Sequence, residues 1–250
     1  SGALDNDWLS AVKGETLQDV AYHPILNHKD ATWVGDGQYV DKIAADETYT
    51  DEALDLTSDW TIRHLVPMNG YLGIFAERKG VVRVISSALF IWDMNSAAWN
   101  DFIPLGATDV ASALNHYGAV YITTQSRNTL ALKRLNGREF TPVQSIVGKP
   151  DASSISMYSG AMMSYFDLIM MGASNGNSTD NGFKAGLYSW GTLDANYRGS
   201  LNLDSIISTA STYDVGITAL GSIGTQLWMA WHDEGASTYG VDQVGTSQSA

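Results

Sequence analysis

Five aspartates stand at the head of five apolar segments: Asp19 in QDVAYHPIL, Asp59 in SDWTIRHLV, Asp109 in TDVASALNH, Asp151 in PDASSISMY and Asp214 in YDVGITALG. Carboxylates repeated in this way have two uses. A ring of them at the mouth of a channel binds a cation or supplies acid and base, and glycoside hydrolysis needs two carboxyl groups at a defined separation. Alternatively, each short acidic side chain accepts hydrogen bonds from backbone N–H groups at the turn into a strand. Repetition in every unit favours the structural use, because catalysis needs two or three non-equivalent carboxylates. Were hydrolysis the function, Asp59, Asp109 and Asp214 would be its candidates.

Other chemistry-bearing patterns are weaker. His23, His64 and His116 follow their aspartates by four, five and seven residues. Three imidazoles near a channel would suit a metal, but offsets of mixed parity put them on different strand faces. His232 reads as part of a solvated loop. Gly172-Ala173-Ser174-Asn175-Gly176 fits the nucleophile-elbow pattern, which requires a strand, a tight turn and a helix. Here a polar loop follows instead. Asn177, Thr179 and Asn181 fall at calcium-loop spacing without the acidic set, and position twelve would be Tyr188. Asn177-Ser178-Thr179 is a glycosylation sequon, meaningful only in a eukaryotic secretory setting. With no cysteine, disulfides, thiol catalysis and cysteine-ligated zinc are excluded. The reading is of no catalytic residue, no metal and no cofactor. Aromatics are the remaining candidates: Trp8, Trp99 and Tyr197, on or near proposed outer strands, could stack on sugar rings or anchor an interface.

The elements that would position these residues are short and regular. After each aspartate-led segment comes a turn and an apolar run: ATWVGDG, YLGIFAE, AVYITTQ, DLIMMGAS and QLWMAWHD. A third run follows in every unit, and a fourth in the middle three (WNDFIPL, EFTPVQSI, YRGSLNLD). Runs of this length between Gly, Asn, Asp and Ser are hairpin-linked antiparallel strands, and Asn136-Gly137 is a two-residue turn that suits strand twist. Residues 46–56 admit either a helical turn or two, or a loop and outer strand. Four strands per repeat of this size is the pattern of a β-propeller blade, whose two faces are both covered by neighbours. The expected fold is all-β: one β-propeller domain over 1–250 of five four-stranded blades at about 18–56, 58–105, 108–147, 150–204 and 213–244, with the N-terminal strand 7–14 completing the fifth. An arc of a larger propeller is the alternative.

Composition narrows the partners. Of 250 residues, 27 are acidic and 14 are Lys or Arg, a formal charge of −13 that repels nucleic acid and anionic membrane. Apolar runs are too short for membrane insertion by a helix. The chain opens Ser1-Gly2-Ala3, which reads as processing or excision from something longer. LFIWDMNSAAWNDFIPL (residues 89–105), with its Trp92-Asp93 and Trp99-Asn100-Asp101, resembles blades of propeller-like proteins among bacteriophage virion components, especially tail and fibre proteins. GLYSWGTLDANYRGSLNL (186–203) is similar, with Gly191 in place of the Asp. The resemblance implies a non-enzymatic structural or receptor-engaging module of a virion. Its partners would be other virion proteins or a host-surface receptor or glycan, within a symmetric assembly. The alternative is a secreted carbohydrate-binding protein or glycoside hydrolase of propeller fold.

Overall fold

The computed structural model describes residue 13, residues 17–20, 22–78, 86–126, 128–148, 155–175, 185–192, 199–206, 215–233 and 237–244. At 175, 192, 199–206 and 215 it describes the backbone alone. The fold is all-β and built of β-propeller blades, in two compact units, Ser1–Asp109 and Val110–Ala250.

The first unit holds two four-stranded antiparallel meanders. One runs β1 (Ile25–His28), β2 (Ala31–Asp36), β3 (Tyr39–Ala44), β4 (Tyr49–Asp55). The other runs β5 (Trp60–Met68), β6 (Tyr71–Arg78), β7 (Ser86–Trp92), β8 (Asp101–Gly106). Residues 46–56 thus provide a loop and an outer strand. Alternating side chains from both sheets make one core of Trp33, Val40, Leu54, Ile62, Ile74 and Phe90, with the Trp33 and Trp92 rings edge-on at 5.4 Å. Gly35 sets how closely the sheets approach, since a Cβ there would meet Ile62 Cγ2 and Pro24 Cγ at 2.7 Å.

The boundary between the units falls at the first residue of β9 (Asp109–His116), and the second unit continues with β10 (Ala119–Ser126), β11 (Thr129–Asn136) and β12 (Glu139–Val147). Two short strands follow, β13 (Ile155–Ser156) and β14 (Met162–Tyr165), both pairing with β15 (Leu168–Asn175). The sheet continues through β16 (Gly186–Thr192) and β17 (Gly199–Ile206). A last meander, β18 (Val215–Ile223), β19 (Gln226–Asp233), β20 (Thr238–Val244), joins β15 through Asn175 and Val215. Ile169, Met170 and Met171 in β15 are all buried although they alternate in direction, as a strand covered on both faces requires.

The first hairpin of each meander closes with two residues in the left-handed region or beside it. The pairs are Lys29-Asp30, Asn69-Gly70, Tyr117-Gly118, Phe166-Asp167 and Gly224-Thr225. Such turns match the right-handed twist of the strands they join. The β11–β12 turn differs from the expectation by one position: Asn136 pairs with Glu139, so the turn residues are Gly137 and Arg138.

Two sequence readings are corrected. The first strand of the first meander starts at Ile25, not near Gln18: Pro24, which has no N–H to give a ladder, stands just before it. The three described aspartates are therefore not equivalent. Asp19 lies in a bend ahead of the first strand and is exposed, Asp59 precedes β5, and Asp109 is the first residue of β9. Asp151 and Asp214 lie outside the described residues.

Candidate functional site

The second unit presents a concavity of about 440 Å³ beside the β9–β10 hairpin. His116 ends β9, Tyr117 and Gly118 form the turn, and Tyr121 on β10 stands opposite Arg134 on β11. The β14–β15 turn brings Asp167 to the same cavity. Tyr117 adopts φ 50° and Phe166 φ 49°. The left-handed region costs an L-residue roughly 1–2 kcal/mol, and bulky side chains are uncommon there. Both rings nevertheless point outward, 78% and 62% exposed. The turn is buttressed locally, as the Asn115 side-chain Oδ1 accepts the Gly118 N–H at 2.9 Å.

Behind these rings the site is closely packed. His116 Nδ1 lies 2.7 Å from Ser164 Oγ on β14, and its ring meets those of Tyr117 and Tyr121 edge-on. Tyr121 packs in turn on Trp190, and the Tyr165 hydroxyl donates to the Thr225 carbonyl at 2.5 Å. Burial pushes His116 below the usual imidazole range, partly opposed by the Asp167 backbone and carboxylate. The imidazole is therefore neutral near pH 7. The lining combines one guanidinium, one carboxylate, a neutral imidazole and aromatic faces, an arrangement able to bind hydroxyl groups as both donors and acceptors.

The first unit contains a contrasting cluster. Asp36 and Asp41 have side chains with no exposure, and both meet Lys13 Nζ, at 2.8 and 3.4 Å. Lys13 also reaches Asp51 at 2.9 Å. Asp36 accepts the Gln18 N–H at 2.7 Å and lies 3.4 Å from His23 Nδ1. Asp41 accepts the Glu52 N–H at 2.9 Å and the Tyr49 hydroxyl. Burial raises the Asp41 carboxyl above its ordinary range, and burial with the Asp41 contact raises Tyr49. Burial works against a charged Lys13, yet Asp36, Asp51 and Asp41 hold it above the ordinary lysine range. Asp36 and Asp41 are taken up by protein groups, so the cluster fastens Lys13 and Gln18 to the first sheet rather than offering acid and base to a substrate.

The candidates named from sequence divide as follows. Asp59 is bound at 2.6 Å by Arg78 on the surface, not by a turn N–H in the described contacts. Trp99 is half-buried with its ring 5.0 Å from Phe90, so it packs within the second sheet instead of standing free to bind. Trp8 and Tyr197 lie outside the described residues. Residues 7–12 and 14 do so too, while Lys13 has helical backbone and rests on the first sheet. Asp93 closes its loop by accepting the Asn95 and Ser96 N–H groups at 2.9 and 2.8 Å, and the Trp92 indole donates to the Ser96 carbonyl. Ser174 is fully buried within β15, against the nucleophile-elbow pattern. His23, His64 and His116 fall on separate segments, and among the described residues no group of three His, Cys, Asp or Glu is placed to hold a metal ion. Sequence reasoning missed Tyr117, Phe166, Arg134 and Asp167. The available signal was an aromatic at a turn position that prefers Gly or Asn.

No family model and no curated protein matches the chain. Among solved structures it is similar to a thermostable family-43 glycoside hydrolase, at 10% identity over 94% of this chain and 93% of that one, with a TM-score of 0.48. It is also similar to the six-bladed β-propeller lectin of Aleuria aurantia (12%, 91% and 80%, 0.46). A third likeness is to an endo-arabinase of Bacteroides thetaiotaomicron (11%, 91% and 93%, 0.44). Likenesses of this depth assign neither an activity nor a ligand to this chain.

Proposed function

We propose that the chain is a non-enzymatic carbohydrate-binding module that holds a glycan at the β9–β10 hairpin. The observation that carries this reading is the outward ring of Tyr117, kept in a costly backbone conformation on a cavity that also bears Arg134 and Asp167, with the exposed Phe166 adjacent to Asp167 in the neighbouring turn. Solvent-facing aromatics give a flat apolar surface for a sugar ring, and the charged pair reads its hydroxyls. The described cavity lining has a single carboxylate, Asp167, whereas glycoside hydrolysis uses two. The virion tail or fibre setting belongs to the proposal as well. It rests on the resemblance of residues 89–105, and a glycan-binding module there would engage a host surface.

A glycan array, followed by reducing-sugar assay of every glycan bound, tests the function. Binding without turnover, reduced about tenfold or more by Tyr117→Ala, is expected, as for loss of an aromatic anchor. Turnover of a bound glycan would overturn the non-enzymatic reading. Binding indifferent to Tyr117→Ala and Arg134→Gln would overturn the site.

A further inference from the structure

The hairpin that builds this cavity recurs in the first unit. His28-Lys29-Asp30-Ala31-Thr32-Trp33 matches His116-Tyr117-Gly118-Ala119-Val120-Tyr121 position by position: a histidine ending the first strand, a two-residue left-handed turn, an alanine opening the second strand, and an inward aromatic two residues on. The first hairpins of the other meanders carry Met68, Tyr165 and Ile223 where these have histidine. Both histidines are pushed below the usual imidazole range, chiefly by burial. A concavity of about 450 Å³ lies beside the His28 turn, close in size to that beside His116.

From this correspondence we infer that the first unit carries a second saccharide site, between the β1–β2 turn and β3, which takes a neutral, hydroxyl-rich ligand. This rests on the reading above for its ligand class, not for its location. Its apolar wall is Ala31 and Ile43, the latter paired across the sheet with Thr32. Asn27 and Thr32 both line the cavity, and Thr32 Oγ1 donates to Asn27 Oδ1 at 2.6 Å, which leaves the Asn27 amide hydrogens as donors and the Thr32 lone pairs as acceptors. Lys29 is steadied by a hydrogen bond to the Gly70 carbonyl and has further ammonium hydrogens to give. Asp30 beside it supplies the matching acceptor. One cation and one carboxylate line this cavity, as Arg134 and Asp167 line the other. That balance suits hydroxyl groups, which donate and accept, over an anion or a cation. The turn has no outward aromatic here, so the site should bind roughly threefold to tenfold more weakly than its counterpart, about the worth of one aromatic contact.

Backbone amide NMR of the isotopically labelled chain, titrated with the methyl glycosides of glucose, galactose, mannose and N-acetylglucosamine, separates the two sites. Shifts at residues 28–32 and at 116–120, saturating at different concentrations with the same glycoside, are expected. Asn27→Ala/Thr32→Val should abolish the first set alone, and Tyr117→Ala/Arg134→Gln the second alone. Shifts confined to 116–120 overturn the second site and leave the proposed function standing. Shifts confined to 28–32 do the reverse. No shift with any of these glycosides overturns both. Retained amide dispersion in each double variant distinguishes a lost site from a lost fold.

Discussion

Replacing Lys13 with methionine keeps most of the reach of the side chain and removes its charge. Asp36 and Asp41 would then remain in a place with no solvent exposure and without their cation. Deleting one partner of a buried ion pair costs about 3–5 kcal/mol, because the other charge stays buried. Asp51, with 41% of its side chain exposed, contributes little to that figure. The Gln18 and Glu52 N–H groups and the Tyr49 hydroxyl still serve the carboxylates, which argues for the lower end, about 3 kcal/mol. That is about a hundredfold in the unfolding equilibrium. The pH dependence follows from signs. Lys13 holds its proton more tightly folded than unfolded, so its contribution is whole below the ordinary lysine range near pH 10 and is lost as pH rises past it. Asp41 is raised by burial, so in the variant it takes up a proton first as pH falls and relieves the strain. The gap between wild type and K13M should therefore be full at pH 7–8 and narrow as pH falls towards the carboxylate range. Urea unfolding followed by circular dichroism, with hydrogen exchange of the β2 and β3 amides, measures both. A loss under about 1 kcal/mol at pH 7, the worth of a surface pair, would refute the argument that Lys13 closes this network.

Three further outcomes are expected. Tyr117→Gly should raise stability by about 1 kcal/mol in thermal unfolding by relieving a left-handed L-residue, while weakening glycan binding on the array by about tenfold or more; a loss of both would mean the ring is a structural contact. Gly35→Ala should cost about 1–3 kcal/mol in urea unfolding, because the new methyl meets Ile62 of the facing sheet and Pro24 beside β1. Asp93→Ala should lower the melting temperature at pH 7. Hydrogen bonds from the Ser96 and Asn95 N–H groups hold the Asp93 carboxyl well below its usual range, so the difference from wild type should narrow as pH falls below about 4.

How much of this was legible depends on the range of the interaction. Strand positions are local. Alternation in TLALKRLN and EFTPVQSI, or the two-sided apolar run LIMM, follows from side-chain direction along an extended chain, and those segments are strands β11, β12 and β15. Register is less local. Asn136-Gly137 looked like the turn, yet pairing along β12, including its bulge near Lys133, places the turn one residue later. The aspartate repeat misled for the same reason, since identical residues one position outside a strand, inside it, or several residues ahead of it meet different neighbours.

Composition and alternation alone determined an all-β chain of short hairpin-linked strands in blade-sized repeats, because periodicity of two and turn residues are properties of neighbouring positions. Tertiary structure decided which polar residues matter. Asp36 and Asp41 are ordinary strand-end and mid-strand aspartates in the sequence, and only packing of the segment bearing Lys13 makes them a buried lock. Tyr117, Arg134 and Asp167 come from three strand connections or strands as much as 50 residues apart. Their convergence depends on how one hairpin turn lies against the next, which no pattern within a single strand encodes.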